Sequence, residues 1–222
     1  MEECIKNIVM TNINVEGDII ELGVYKGRNT FIIGNLLKSM NCKKKYIGYD
    51  TFEGYTQNDI DNALTEKQKK ALLSGNKRKI WKVDEKKILE KIHTENLEDY
   101  CQIIKGDICD TISNCKSEKI QIIYVDCNAY LPAITALKSL KSKLQDSSFI
   151  VIDEHTIGGE TASLREFMKE TKGKLYKLNT TYLTGPRIIY HVKIGEKESE
   201  TYLEIEKKLK SRYKIVNKLE KE

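Results

Sequence analysis

The six cysteines of this 222-residue chain (Cys4, Cys42, Cys101, Cys109, Cys115 and Cys127) include no Cys-x-x-Cys pair and no paired metal spacing. The usual signatures of a zinc site or a redox pair are therefore missing. Several of these cysteines sit in or beside apolar runs, where a free thiol behaves as a small hydrophobe. No apolar run approaches the ~20 residues a membrane helix needs, and no signal-peptide pattern opens the chain. The expectation is a cytoplasmic protein with reduced thiols and no membrane partner. A concentrated basic stripe is lacking too. The 38 basic and 33 acidic residues leave a net +5, with only small clusters at Lys43-Lys44-Lys45 and Lys207-Lys208. That distribution fits solvated faces and argues against a nucleic-acid partner. A small molecule is the expected ligand.

What is present is a rhythm of short apolar runs. Ile19-Ile20, Tyr46 to Tyr49, Cys101 to Ile104, Ile122 to Val125 and Phe149 to Ile152 read as buried strands. Helical spacing fills most gaps, at Thr30 to Met40, Asp84 to His93 and Leu131 to Leu144. Leu175 to Leu178 and Ile188 to Ile194, with Gly185-Pro186 between them, read as an antiparallel pair at one edge. The fold expected is α/β and Rossmann-like: a mostly parallel seven-stranded sheet with helices on both faces and an antiparallel edge strand. The length suits one domain, taken as residues 1–198. Within it, the polar segment 58–82 is either a cap over a site or a solvated loop and helix. Residues 199–222 are charged, with an apolar stripe at Tyr202, Ile205, Leu209, Val216 and Leu219. They read as a C-terminal helix that packs on its own domain or forms a homodimer seam.

In an open α/β sheet, ligands bind beyond the carboxyl ends of the strands. The first strand runs into Glu21-Leu22-Gly23-Val24-Tyr25-Lys26-Gly27, a glycine-punctuated turn before a helix. The spacing is Gly-x-x-x-Gly, not the dinucleotide Gly-x-Gly-x-x-Gly, with an acid two residues before the first glycine. Acids recur after the later strands: Asp50, Asp107, Asp126, and Asp153-Glu154. One such acid is easily a helix cap; a succession of them at one sheet edge is not. Asp50 is placed to accept ribose hydroxyls. Asp107 either accepts from an adenine amino group, with Ile108 against the ring, or caps a helix. Asp126, Asp153 and Glu154 come from neighbouring strands and would repel unless a cation lay among them, for which magnesium is the economical choice.

Gly17 to Gly27, Asp50-Thr51-Phe52-Glu53-Gly54, Lys105-Gly106 with Asp110-Thr111, Val125-Asp126 through Tyr130, and Ile152-Asp153-Glu154 occur in one order. Acid-x-Gly-x-x-x-Gly resembles the first motif of class I S-adenosylmethionine-dependent methyltransferases. Together these segments resemble the macrocin O-methyltransferase family, over about residues 15–195, with Asp-Thr-Phe-Glu-Gly the most specific piece. The resemblance implies a magnesium-assisted transfer of a methyl group from S-adenosylmethionine to a hydroxyl of a small molecule, a sugar or glycosylated metabolite. It places Glu21, Gly23, Tyr25, Gly27 and Asn29 in the cofactor loop and Asp50 at the ribose, with Thr51 and Phe52 beside it. It makes Asp126, Asp153 and Glu154 the metal ligands. The family reads Asp-Gly-Asp-x-Tyr after the fourth strand, whereas this chain reads Asp126-Cys127-Asn128-Ala129-Tyr130. Asn128 stands at the family's general base and cannot take a proton at neutral pH. His155, with an ordinary pKa of ~6.5, is the alternative base. The competing reading is a non-catalytic nucleoside-binding module that has lost its base. An N-methyltransferase on nucleic acid lacks its Asn-Pro-Pro-Tyr-like loop.

Overall fold

In the computed structural model, residues 2–11, 13–153, 159–171, 174–178, 188–193 and 215–218 are described. After α1 (Glu2–Thr11) the chain alternates β1 (Asp18–Leu22), α2 (Arg28–Ser39) and β2 (Tyr46–Asp50). The insert follows as α3 (Gln57–Asp61) and α4 (Glu66–Lys77), then α5 (Glu85–Thr94) leads into β3 (Cys101–Lys105). The short α6 (Ile108–Thr111), β4 (Ile120–Val125), α7 (Tyr130–Leu140), β5 (Leu144–Ile152) and α8 (Gly159–Thr171) come next. β6 (Lys174–Leu178), β7 (Ile188–Lys193) and β8 (Ile215–Lys218) complete the sheet.

Strand order is β3-β2-β1-β4-β5-β7-β6-β8. β1 to β5 pair in parallel, and β7 pairs antiparallel with both β5 and β6. The order reverses between β1 and β4, which is where an open α/β sheet leaves a crevice at its carboxyl edge. The strands are almost wholly apolar because both faces are covered. Ile19, Tyr46, Ile122, Tyr124, Phe149 and Val151 face α1, α2 and α5. Their alternates Ile20, Ile47, Ile123, Val125, Ile150 and Ile152 face α6, α7 and α8. Side chains alternate across a strand, so a continuous apolar run supplies two cores at once.

Two expectations change. Among the described residues the sheet has eight strands, where seven were expected. The extra one is β8, which falls inside the stretch read as a C-terminal helix and pairs antiparallel with β6. The helical spacing of that stretch includes Ile215-Val216, a β-branched pair that suits an open sheet edge. The rest of residues 199–222 lies outside the described residues. Among the described residues, no helix is long and apolar enough to cross a membrane.

Candidate functional site

Strand register brings the acids together. Leu22 lies opposite Tyr49 and Val125, and Val125 opposite Ile152. The residues that follow therefore emerge side by side, and the ladder continues one step past the strands. Gly23 N–H donates to Tyr49 O at 2.8 Å, Asp126 N–H to Leu22 O at 2.8 Å and Asp153 N–H to Val125 O at 3.0 Å. At Gly23 the backbone has φ +95°, and a Cβ would lie 2.1 Å from the Asp126 carbonyl oxygen. Only glycine lets the end of β1 pass that close to the end of β4.

Above this edge lies a cavity of about 340 Å³, lined by Gly23, Tyr25, Asp50, Thr51, Gly54, Tyr55, Asp59, Trp81, Asp107, Ile108, Asp126, Cys127, Asn128, Pro132 and Asp153. Nine of the site residues read from the sequence are on its wall: Gly23, Tyr25, Asp50, Thr51, Asp107, Ile108, Asp126, Asn128 and Asp153. Asp50 does more than line it. Oδ2 accepts from the N–H groups of Val24 and Tyr25, both at 2.8 Å, and Oδ1 from Phe52 N–H at 2.7 Å. The acid at the end of β2 thus fixes the turn after β1. Asp107 caps α6, accepting from Cys109 N–H at 2.8 Å, and also lines the cavity.

Four of the cofactor residues expected from the sequence do not reach the wall. Glu21 is 2% exposed and lies behind it, accepting from Tyr46 Oη and from Asn29 Nδ2 at 2.6 Å. Burial pushes the Glu21 carboxyl up to about 8, against the opposing pull of the Tyr46 and Asn29 hydrogen bonds, with Asp50 and Asp153 adding to the rise. Burial thus favours its protonated form. Asn29 is occupied by Glu21, Gly27 is the N-cap of α2, and Phe52 is wholly buried in the core. Period-two alternation within β1 turns Glu21 inward, and the turn after β2 does the same for Phe52.

Asn128 faces the cavity with φ +57°, and its N–H donates to the buried Glu160 Oε1 at 2.6 Å. Glu154 and His155, read as a metal ligand and a base, lie outside the described residues. Asp126 and Asp153 supply hard oxygen donors on one wall, and Tyr124 Oη donates to Asp153 Oδ1. Among the described residues, no group of three or more His, Cys, Asp or Glu side chains converges as a metal site. The two carboxylates are of the hard oxygen type that magnesium takes, and the third ligand expected, Glu154, is outside the described residues.

The loop after β2 and the insert contribute what the sequence did not single out: Tyr55 from the loop, Asp59 and Trp81 from the insert. Asn76 Oδ1 accepts from Tyr55 N–H at 2.9 Å while its Nδ2 donates to Tyr55 O at 2.6 Å, which ties α4 to the loop after β2. Trp81 meets Tyr25 and Tyr55 edge-on, with ring centroids 5.5 and 6.2 Å away. Trp81 is the chain's single tryptophan, set in a lysine-rich polar segment, and that contrast was the signal available.

The family model for macrocin-O-methyltransferase (TylF) matches residues 1–179. The demethyldecarbamoylnovobiocin O-methyltransferase of Streptomyces niveus is 19% identical over 157 residues, 70% of this chain. The chain spans 58% of that curated relative's length. The O-methyltransferase NovP superposes with a TM-score of 0.71 at 16% identity, covering 86% of this chain and 76% of NovP. The calicheamicin methyltransferase CalS11 gives 0.68 at 18% identity, covering 88% of this chain and 79% of CalS11. Both likenesses carry the fold.

Proposed function

Because the chain belongs to the macrocin O-methyltransferase family, we propose that it transfers a methyl group from S-adenosylmethionine to a hydroxyl of a sugar or glycosylated small molecule. The observation that carries this reading is the single cavity that gathers Gly23, Asp50, Asp107, Asp126 and Asp153 from the ends of parallel strands. Asp50 accepts a ribose hydroxyl with the lone pair its three backbone donors leave. Ile108 packs against the adenine, and the turn at Gly23 to Tyr25 runs along the methionyl part. S-adenosylmethionine, when bound, would supply the methyl group to the acceptor oxygen and keep the electron pair of the broken carbon–sulfur bond as S-adenosylhomocysteine. The proton leaves the acceptor hydroxyl, and His155 is the residue we assign to receive it. Asn128 orients the acceptor without taking that proton. Magnesium, held by Asp126 and Asp153 with Glu154, would supply a Lewis acid that lowers the hydroxyl's pKa. We place this activity in the cytoplasm, among reduced thiols.

The test is a calorimetric titration with S-adenosylmethionine and S-adenosylhomocysteine, with and without magnesium, followed by turnover on nucleotide-linked deoxysugars and glycosylated phenols. The expected result is binding of both nucleosides and acceptor-dependent release of S-adenosylhomocysteine. Turnover falls with a chelator, returns with magnesium, and is lost in Asp153→Asn while Asn128→Ala retains part of it. Full turnover by a metal-free preparation removes the magnesium and leaves the methyl transfer standing. The asparagine at position 128 favours one alternative, a cofactor-binding module without catalysis. Tight nucleoside binding with no turnover on any acceptor would select it.

A further inference from the structure

The insert brings one acid to the cavity that this reaction does not use. Asp59 lies in α3 and forms a capping box with Thr56: Thr56 N–H donates to Asp59 Oδ2 at 2.8 Å, and Asp59 N–H donates to Thr56 Oγ1 at 3.1 Å. That box commits one carboxylate oxygen. The other, Oδ1, is buried and has no hydrogen-bond partner, on a residue that is 6% exposed and lines the cavity. Capping explains an acid here, but not a second oxygen shut away from water and left unpaired, which is a costly arrangement.

Its surroundings indicate what would pair it. Asp59 lines the same cavity as Asp107, Ile108, Cys127 and Pro132, and Asp107 and Cys127 lie close enough to feel its charge or lend theirs. Burial is the main cause that holds its carboxyl above the ordinary range, and Asp107 is the acid whose charge adds to that. A base for the acceptor hydroxyl would have to answer to Asp126 and Asp153 instead. Two acids beside apolar walls call for a flat apolar ring bearing one group with two N–H donors. The χ2 torsion of aspartate is soft, so the carboxyl plane can turn toward a donor while Thr56 N–H still finds an oxygen.

We propose that Asp59 and Asp107 together grip the 6-amino group of the cofactor's adenine, one N–H to each acid, so that the insert takes part in selecting a 6-aminopurine. This rests on the cofactor reading above. A 6-oxo purine would turn lone pairs toward both carboxylates, and a site built around a donor rejects an analogue that lacks it far more strongly than one that differs in size.

The experiment compares S-adenosylhomocysteine with S-inosylhomocysteine, its 6-oxo analogue, by calorimetry on the full chain. Wild type is expected to bind the 6-oxo analogue about 100-fold more weakly or worse. Asp59→Ala is expected to shrink that ratio roughly ten-fold, by weakening the amino ligand alone. Asp59→Asn, which keeps one oxygen to share between Thr56 and the purine, should fall between. A damaged fold would weaken both ligands and leave the ratio unchanged, so the ratio separates recognition from the capping role. Equal affinity of wild type for the two ligands overturns the proposal and leaves the cofactor reading intact. So does a ratio unchanged in both variants. Binding of neither ligand by wild type removes the cofactor reading, and the adenine contact with it.

Discussion

Asp50 accepts three backbone N–H groups, two on Oδ2 and one on Oδ1, and a carboxylate offers roughly four such places. Little is left for a ribose diol, so in the proposed reaction this acid would act on the cofactor largely by shaping the turn after β1. Asp50→Ala should weaken S-adenosylhomocysteine binding by about 1.5–3 kcal/mol, the range for hydrogen bonds to a charged group. It should also lower the melting temperature, because Val24, Tyr25 and Phe52 lose their acceptor. Calorimetry and a thermal melt read the two effects, and unchanged affinity in a folded variant removes Asp50 from the site. Glu21 gives the opposite case. Its folded pKa of about 8 exceeds its ordinary 4.5, so the folded state holds a proton that the unfolded state releases. Wild-type stability, measured against Glu21→Gln, should fall by about 1.4 kcal/mol per pH unit between those two values and level off above them. A flat difference across that window would show Glu21 ionised in the fold. Sequence reading treated Glu21 and Asp50 alike, since both are acids near a strand end. What separates them is direction: Glu21 sits within β1 facing Tyr46, whereas Asp50 closes β2 and reaches back to the next turn. Composition and spacing carry no record of that.

At the scale of elements, the parallel strands and the helices between them were legible because apolar runs of four to six residues betray strands buried on both faces. The insert was not, because α4 buries only Gln68, Leu72 and Gly75. So narrow a stripe looks like a solvated helix. It is nonetheless a fitted part. Leu72 packs with Ile60 and Ala129, and Gly75 leaves room for the indole of Trp81, whose Nε1 would lie 2.5 Å from an added Cβ. Gly75→Ala sets two effects against each other: about 1 kcal/mol gained in helix propensity and about 1–3 kcal/mol lost to overpacking. Because the contacts are with ring atoms of Trp81, the clash should win, giving a small net loss of stability. Trp81 is the only indole in the chain, so its emission reports the displacement directly. The variant should emit at longer wavelength than wild type; an identical spectrum with raised stability would show that Trp81 is not seated against α4.

Over the whole molecule, the cofactor wall and the end of the chain are separate. Among the described residues, those on the cavity wall lie at or before Asp153, while β8 is the outermost strand, beyond β6 and β7. Removing residues 199–222 should therefore leave S-adenosylhomocysteine affinity within about two-fold of wild type, an energy difference of roughly 0.4 kcal/mol. The same cut strips β6 of one of its two antiparallel partners, the outer one, and bares a row of backbone donors and acceptors, which is a template for pairing with another chain. The truncated protein should thus self-associate more strongly than the full chain as concentration rises, measured by sedimentation velocity. The two readouts decide different things. A folded truncation that no longer binds would bring the tail into the pocket, while one that binds but stays in the same association state as the full chain would show that β8 does not guard the sheet edge. Were the full chain a dimer and the truncation a monomer, the tail would be the seam between copies, the alternative its apolar stripe left open from the start.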